Sequence, residues 1–402
     1  MRVIGLMSGT SYDAIDAAAA DLTIDGDRLL LSPLGLITRG YDAELRSALG
    51  AALPPSATTL AEVCRLDTLV GRAFATAAAE ADRELCDGRA ELVASHGQTV
   101  YHWVEDGQVH GALQIGQPAW IAEATGLPVV ADFRPRDIAA GGQGAPLVSI
   151  VDRMWLRGRP GAPAALNLGG IANITAADGT AFDTGPANAL IDAAVYELTR
   201  QRLTYDVDGE MAARGTVDEG LLAVLLADPY YARPAPKTTG KELFHLPYLR
   251  AALTGYEALA PEDIVATLTR LTARTVADAV RSVHASEVIA SGGGTRNPTL
   301  MAFLRDELRA ELRADASAGA SGSEVPVRTS DELGLPSAAK EAYAFAVLGF
   351  LTAHGLPGTV PESTGARHAS VLGSITPGRA GVRVPATEGG GPVRLVVDGH
   401  GR

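Results

Sequence analysis

Val3-Ile4-Gly5-Leu6-Met7-Ser8-Gly9-Thr10-Ser11, continuing through Ala14 to Ile24 and Asp25-Gly26, is the stretch on which the fold turns. Val3 to Leu6 is an apolar run of strand length, Met7 to Ser11 is a turn, and Ala14 to Ile24 returns as a second strand. Asp25-Gly26 predicts a tight hairpin into Leu29-Leu30-Leu31, because glycine accepts the positive φ that such turns demand. The pattern recurs about 160 residues further on. There Ala164 to Leu168 is a strand, Gly169-Gly170 a turn and Ile171 to Thr175 the return strand, and Asp178-Gly179 is a second hairpin turn leading into Ala181-Phe182-Asp183. Two copies of one strand–turn–strand–hairpin unit predict a duplicated architecture.

Around these copies helical and strand patterns alternate, which indicates an α/β fold. Helices are expected over Ala57 to Leu85, Ala187 to Thr199, Pro261 to His284 and Ser337 to Phe350. Further strands are expected at Glu91 to Ser95, Pro128 to Asp132 and Glu287 to Ser291, with a glycine-rich loop at Ala140 to Pro146 and a surface loop at Ala316 to Glu324. At 402 residues the chain is long enough for two cores. Hydrophobic residues make up 47% but aromatics only 5%, so Ala, Leu and Val must fill those cores. The formal net charge of −13 repels polyanions and argues against nucleic acid or an anionic membrane as partner. Cys64 and Cys86 lack partners at metal-ligand spacing and read as buried small hydrophobes. No leader sequence or membrane-length apolar run is visible, so a cytoplasmic location is the expectation.

Three glycine turns follow strands: Gly9, Gly169-Gly170 and Gly292-Gly293-Gly294. A phosphate chain needs inward-pointing backbone N–H groups with no Cβ in the way, which such turns supply. None fits the P-loop pattern or the dinucleotide fingerprint. What remains is two related halves holding phosphates between their hairpins.

The segment Gly5-Leu6-Met7-Ser8-Gly9-Thr10-Ser11-Tyr12-Asp13-Ala14-Ile15-Asp16 resembles the N-terminal signature of anhydro-N-acetylmuramic acid kinases. The resemblance continues in order through Ser95 to Thr99, Ala131 to Asp137, Gly141 to Leu147, Leu166 to Ile174, Phe182 to Pro186, Pro236 to Phe244 and Asp331 to Gly334. It implies an α/β fold of two duplicated RNase H-like domains, of the actin/hexokinase type, with a nucleotide cleft between them. Residues 1–160 would form the N-terminal domain, 161–378 the C-terminal domain with the adenosine site, and 379–402 a flexible tail. It also implies ATP and Mg²⁺ as cofactors, a homodimer, and a reaction that opens the 1,6-anhydro bridge of the sugar while phosphorylating O6.

Opening that bridge requires water to attack C1, so a carboxylate must act as general base. Asp183, at a strand end beside the second turn, matches the family's catalytic aspartate; its alternative is a turn-capping role. The nucleotide contacts implied are Gly9, Thr10, Ser11, Tyr12, Asp13, Ala14, Ile15, Asp16, Gly169, Gly170, Gly292, Gly293, Gly294 and Asn297. Asp13 is expected to orient Mg²⁺ through bound waters, and Asp16 serves the same end or is a surface residue of the hairpin. His96 and Gln98, at a strand end, are expected to line the sugar pocket, unless His96 is a structural histidine. Arg134 is placed to clamp the lactyl carboxylate or to pair with Asp132 or Asp137. Asp331 and Glu341 complete the expected sugar contacts, with Glu341 otherwise an ordinary helix residue. Ala14 and Ala187 stand where the family favours glycine, and either would be strained if its position needed φ > 0. The rival readings are a related kinase for another sugar and a non-catalytic actin- or Hsp70-like nucleotide switch.

Overall fold

A computed structural model describes residues 1–9, 12–54, 56–105, 107–235, 237–239, 243–317, 324–382 and 391–398, the side chains at 310–317 excepted. The chain divides into two compact units: Met1–Arg157 with Ala339–Arg402, and Gly158–Ala338. The second unit is thus an insertion in the first, whereas the sequence groups residues 161–378 as one domain. The stretch expected as a tail contributes a strand, Arg394–Val397, to the first unit.

The first unit holds β1 (Arg2–Ser8), β2 (Ala14–Asp25), β3 (Arg28–Gly40), β4 (Leu92–Glu105), β5 (Gln108–Ile115) and β6 (Val129–Ala131). The second holds β7 (Pro163–Leu168), β8 (Ile171–Ala176), β9 (Ala181–Pro186), β10 (Glu287–Ser291) and β11 (Val327–Thr329); β12 (Ser374–Thr376) and β13 (Arg394–Val397) return to the first. The first sheet runs β12-β6-β4-β1-β2-β3-β13, with β5 paired to β4, and the second runs β11-β10-β7-β8-β9. In the first, β1, β2 and β3 are successively antiparallel, and β1, β4 and β6 are parallel. In the second, β7, β8 and β9 are antiparallel, and β7, β10 and β11 are parallel. The duplication read from two hairpins therefore extends to five strands in each sheet. Gly26 and Gly179 make the two hairpin turns at φ +59 and +99.

In the first unit the core is small-residue packing. Ala17 to Ala20 on β2 are fully buried, and the helix Lys340–Ala353 lies directly on the sheet. A Cβ on Gly5 would come 1.9 Å from the carbonyl oxygen of Ala342, and one on Gly349 2.4 Å from Ala94 Cβ. This close approach is why residues after Ala339 belong with the N-terminal strands. In the second unit Leu166, Leu168 and Ile174 pack against Ala273, Val276 and Val280 of the helix Pro261–Ser282 and Leu300 and Leu304 of the helix Pro298–Ser317.

Most expected helices lie within a few residues of their predicted bounds. The first begins at Leu60, not Ala57, because Thr59 caps it: its Oγ1 accepts from the Glu62 N–H at 3.1 Å. β4 runs ten residues past Ser95 and folds back as β5, and a helix, Phe133–Ala139, separates β6 from the glycine-rich loop. The expected loop at Ala316 to Glu324 lies largely outside the described residues. Cys86 is buried, but Cys64 is exposed on the helix Leu60–Leu85, whose buried face is Leu66, Val70, Phe74, Ala78 and Ala81. Neither alanine takes a positive φ: Ala14 lies in β2 and is not among the positive-φ residues, and Ala187 has φ −106.

Candidate active site

The turn after β1 is set by what happens to its carbonyl group. Gly9 O accepts from the Tyr12 N–H and from Gln98 Nε2, each at 3.1 Å. Gln98 Oε1 in turn accepts from Ser8 Oγ at 2.8 Å and from Tyr41 Oη at 3.4 Å. A cradle for an anion must point its oxygens away from the charge, and here the oxygen is held inside the protein. Gln98 is buried, with both ends of its amide spent on protein groups, so it braces the turn; the sequence assigns it to the sugar. Tyr12 takes φ 41 at the turn's exit. Asp13 is exposed and its Oδ1 accepts from the Ala14 N–H at 3.1 Å, while Asp16 Oδ1 accepts from Thr38 Oγ1 at 2.6 Å. Ile15 points into the core. Thr10 and Ser11 lie outside the described residues.

The same unit brings His96, Arg134 and Glu341 together. His96 Nδ1 meets Gly97 O at 2.9 Å, and its Nε2 faces Arg134 Nε at 3.2 Å and Nη2 at 3.0 Å. Burial, reinforced by the Arg134 charge, pushes the imidazole down to about 3, so it is neutral: Nδ1–H donates to the carbonyl and Nε2 accepts from arginine. Arg134 Nη1 donates to Gly144 O at 2.6 Å. Burial lowers its pKa to about 10, against the attraction of Glu341 and Asp137, and it remains a cation. Glu341 sits in the first turn of the helix Lys340–Ala353. Burial raises its pKa; Lys340 and Arg134 pull it back, and Asp16 and Asp152 push it up. Lys340 itself is tied to buried Asp152 at 2.7 Å. Arg134 feels the charges of Glu341 and Asp137, and Asp137 accepts from the Gly144 N–H and Thr364 Oγ1, each at 2.8 Å. His96 thus orients Arg134, a role intermediate between the two readings of the sequence.

In the second unit the turn after β7 repeats the device. Gly169 O accepts from the Asn188 N–H at 3.0 Å and Asn188 Nδ2 at 2.8 Å, and Gly170 O from the Ala187 and Ala189 N–H groups at 3.0 Å. Asn188, at the start of the helix Asn188–Leu198, does for this turn what Gln98 does for the first. Gly292, at φ +87, and Gly294 are glycines of close packing, since a Cβ would lie 2.5 Å from Asn167 Oδ1 and 2.7 Å from Leu168 Cβ respectively; at Gly293 the space is open. Asn297 Oδ1 accepts from the Leu300 N–H at 3.0 Å at the start of the helix Pro298–Ser317, and Asp331 Oδ1 from the Ser337 N–H at 3.1 Å. The positions expected to contact nucleotide and sugar therefore also carry local capping bonds.

Asp183 lies on β9 and is held from three directions by residues 230–239. Its N–H donates to Lys237 O at 3.0 Å, its carbonyl accepts from Tyr230 Oη at 2.7 Å, and its Oδ2 accepts from the Thr239 N–H at 2.9 Å. Lys237 Nζ donates to the Tyr231 and Tyr230 carbonyls at 3.1 and 3.3 Å and lies 4.8 Å over the Tyr230 ring. The sequence singles out Pro236 to Phe244 as a motif without giving Lys237 or Thr239 a task; Pro236 and residues 240–242 lie outside the described residues. Among the described residues no cluster of three metal-ligating side chains occurs.

Two sheets that share a five-strand topology, each with a carbonyl-braced glycine turn between its first two strands, define the duplicated actin/hexokinase-type fold. The description of the anhydro-N-acetylmuramic acid kinase family matches residues 1–378. Curated relatives bearing that name are 72% identical in Streptomyces avermitilis, over 99% of this chain and all of the relative, and 62% identical in Rhodococcus erythropolis, over 95% and 96%. Similar solved structures include a glucokinase of the ROK family from Streptomyces griseus with glucose and AMPPNP (15% identical, TM-score 0.39, 87% of this chain and 99% of that one). Another is the activator of 2-hydroxyisocaproyl-CoA dehydratase from Clostridium difficile with bound ADPNP (12% identical, TM-score 0.41, 87% and 94%). The chain belongs to the anhydro-N-acetylmuramic acid kinase family and is a kinase.

Proposed function

We propose that the protein uses ATP to convert 1,6-anhydro-N-acetylmuramic acid and water into N-acetylmuramic acid 6-phosphate, a step in cytoplasmic recycling of the bacterial cell wall, with Asp183 as base. The observation that carries this is the mounting of Asp183: Oδ2 is engaged by the Thr239 N–H, and the backbone is pinned on both sides. Asp183 takes a proton from water as the water oxygen bonds to C1. The C1–O6 bond breaks, and its electron pair goes to O6, which takes the γ-phosphoryl group while ADP departs. No separate acid is needed, because phosphorus receives the leaving oxygen.

The charges of the first unit support a sugar site there. Arg134 is a half-buried cation whose charge attracts a carboxylate, and Glu341 can accept a sugar hydroxyl. The braced turn at Gly9 suits the phosphates. Mg²⁺ usually keeps several waters and takes one or two carboxylates, and exposed Asp13 beside that turn fits it; when bound, the ion neutralises phosphate charge. A homodimer goes with the family resemblance, and light scattering on the purified protein reads it directly.

The deciding experiment is ADP release with and without the anhydro sugar, in the wild type and in Asp183→Asn. Turnover should require the sugar and fall by about 10³-fold in the variant, the range general-base removal commonly gives. ATP hydrolysis indifferent to the sugar or to the substitution would sink the proposal.

A further inference from the structure

Beside Asp183 two buried oxygens are left over. Thr239 Oγ1 and Tyr231 Oη have no hydrogen-bond partner among the described residues. Buried hydroxyls are almost always bonded, and an orphan asks for a missing ligand. Both belong to the aspartate's surroundings. Thr239 supplies the N–H that engages Oδ2. Tyr231 packs on the same strand two residues along: a Cβ on Gly185 would come 2.9 Å from its ring Cε1 and 3.6 Å from Oη. Gly185 has φ +148, so that position is reserved for glycine and the ring lies directly on the backbone. Burial raises the Tyr231 phenol far above its ordinary range, so it stays protonated and has a proton to donate.

We infer that Thr239 Oγ1 and Tyr231 Oη hold the water molecule that attacks the sugar. This rests on Asp183 being the base. A nucleophilic water beside a base needs one acceptor for the proton it loses and further partners to aim its lone pair. The carboxylate supplies the first, and these two hydroxyls supply the second. The Thr239 N–H fixes one carboxylate oxygen, and its side chain fixes what the other will act upon. One residue thereby sets both partners of the proton transfer.

The test compares Thr239→Val, Thr239→Ser and Tyr231→Phe in full-length protein, with ATP and 1,6-anhydro-N-acetylmuramic acid. Thr239→Val keeps the backbone donor and removes only the hydroxyl. Its kcat should fall about ten-fold, the effect of one lost hydrogen bond to a reacting group, while the KM for sugar stays within about two-fold. The acid limb of the kcat profile should not move, and the solvent deuterium isotope effect should grow as water attack becomes slower. Thr239→Ser should restore most of the rate. Tyr231→Phe should lower kcat several-fold and keeps the test available if the valine variant does not fold. Unchanged kcat in both oxygen-deleting variants would overturn the inference, as would a rise in sugar KM at constant kcat, which would make these groups sugar contacts. Asp183→Asn separates the two levels: retained turnover there removes the base itself, whatever Thr239 does.

Discussion

His96 shows how far a residue's chemistry is decided by its surroundings. Its imidazole is buried against Arg134 and is held neutral, with its pKa pushed down to about 3 from the ordinary 6.5. Because the folded state disfavours the proton, this contribution to stability is complete above pH 6.5 and shrinks as pH falls toward 3. Between pH 7 and pH 5 the wild type should lose about 2 kcal/mol more than His96→Gln, as read by urea unfolding at both values. Equal losses would mean that His96 is already charged at pH 5. The sequence marks His96 as a histidine at a strand end but not as the group that orients Arg134, because a 38-residue separation hides the pair. Gln98 was equally opaque: only the folded turn reveals that its amide is consumed by Gly9 O and Ser8 Oγ.

At the scale of elements, the turn after β1 is placed by backbone-to-backbone packing. The helix Lys340–Ala353 reaches β1 through Gly5, which fixes Glu341 on the same unit as the Gly9 turn. A methyl group at Gly5 would collide with a carbonyl oxygen and not with a side chain able to move. Gly5→Ala should therefore destabilise the protein by about 3 kcal/mol or more, seen as a lower Tm with early loss of sugar-dependent turnover; an unchanged Tm would show that the helix can lift. The hairpins and the alternation of strand and helix were legible in the sequence, because turn chemistry and periodicity are local; Asp183, expected at a strand end, lies inside β9. The β4–β5 hairpin was not: β4 is buried as far as Gln98 and exposed from Tyr101 onward, so its pattern changes midway. Nor was the bracing of Asp183 by Lys237, Tyr230 and Thr239, which depends on a loop about 50 residues away returning to β9.

At the scale of the whole molecule, the second unit is one continuous stretch, Gly158–Ala338, with its own five-stranded sheet and apolar cores. Expressed alone, that stretch should unfold in a single cooperative thermal transition. Residues 1–157 alone should not, because they lack the helix that covers β1 and β2. A cooperative transition in the N-terminal fragment would show that the covering helix is dispensable to the fold.

The inserted arrangement also bears on how the chain is made. The strands that carry the Gly9 turn leave the ribosome first, yet the helix that closes over them is encoded after Ala338. At about 5–20 residues per second, they wait on the order of ten seconds or more while the intervening unit is translated. Through that interval the Ala-rich face of β2 and the surface around Gly5 lack the helix that covers them in the finished fold. The unit that starts first is the one that finishes last.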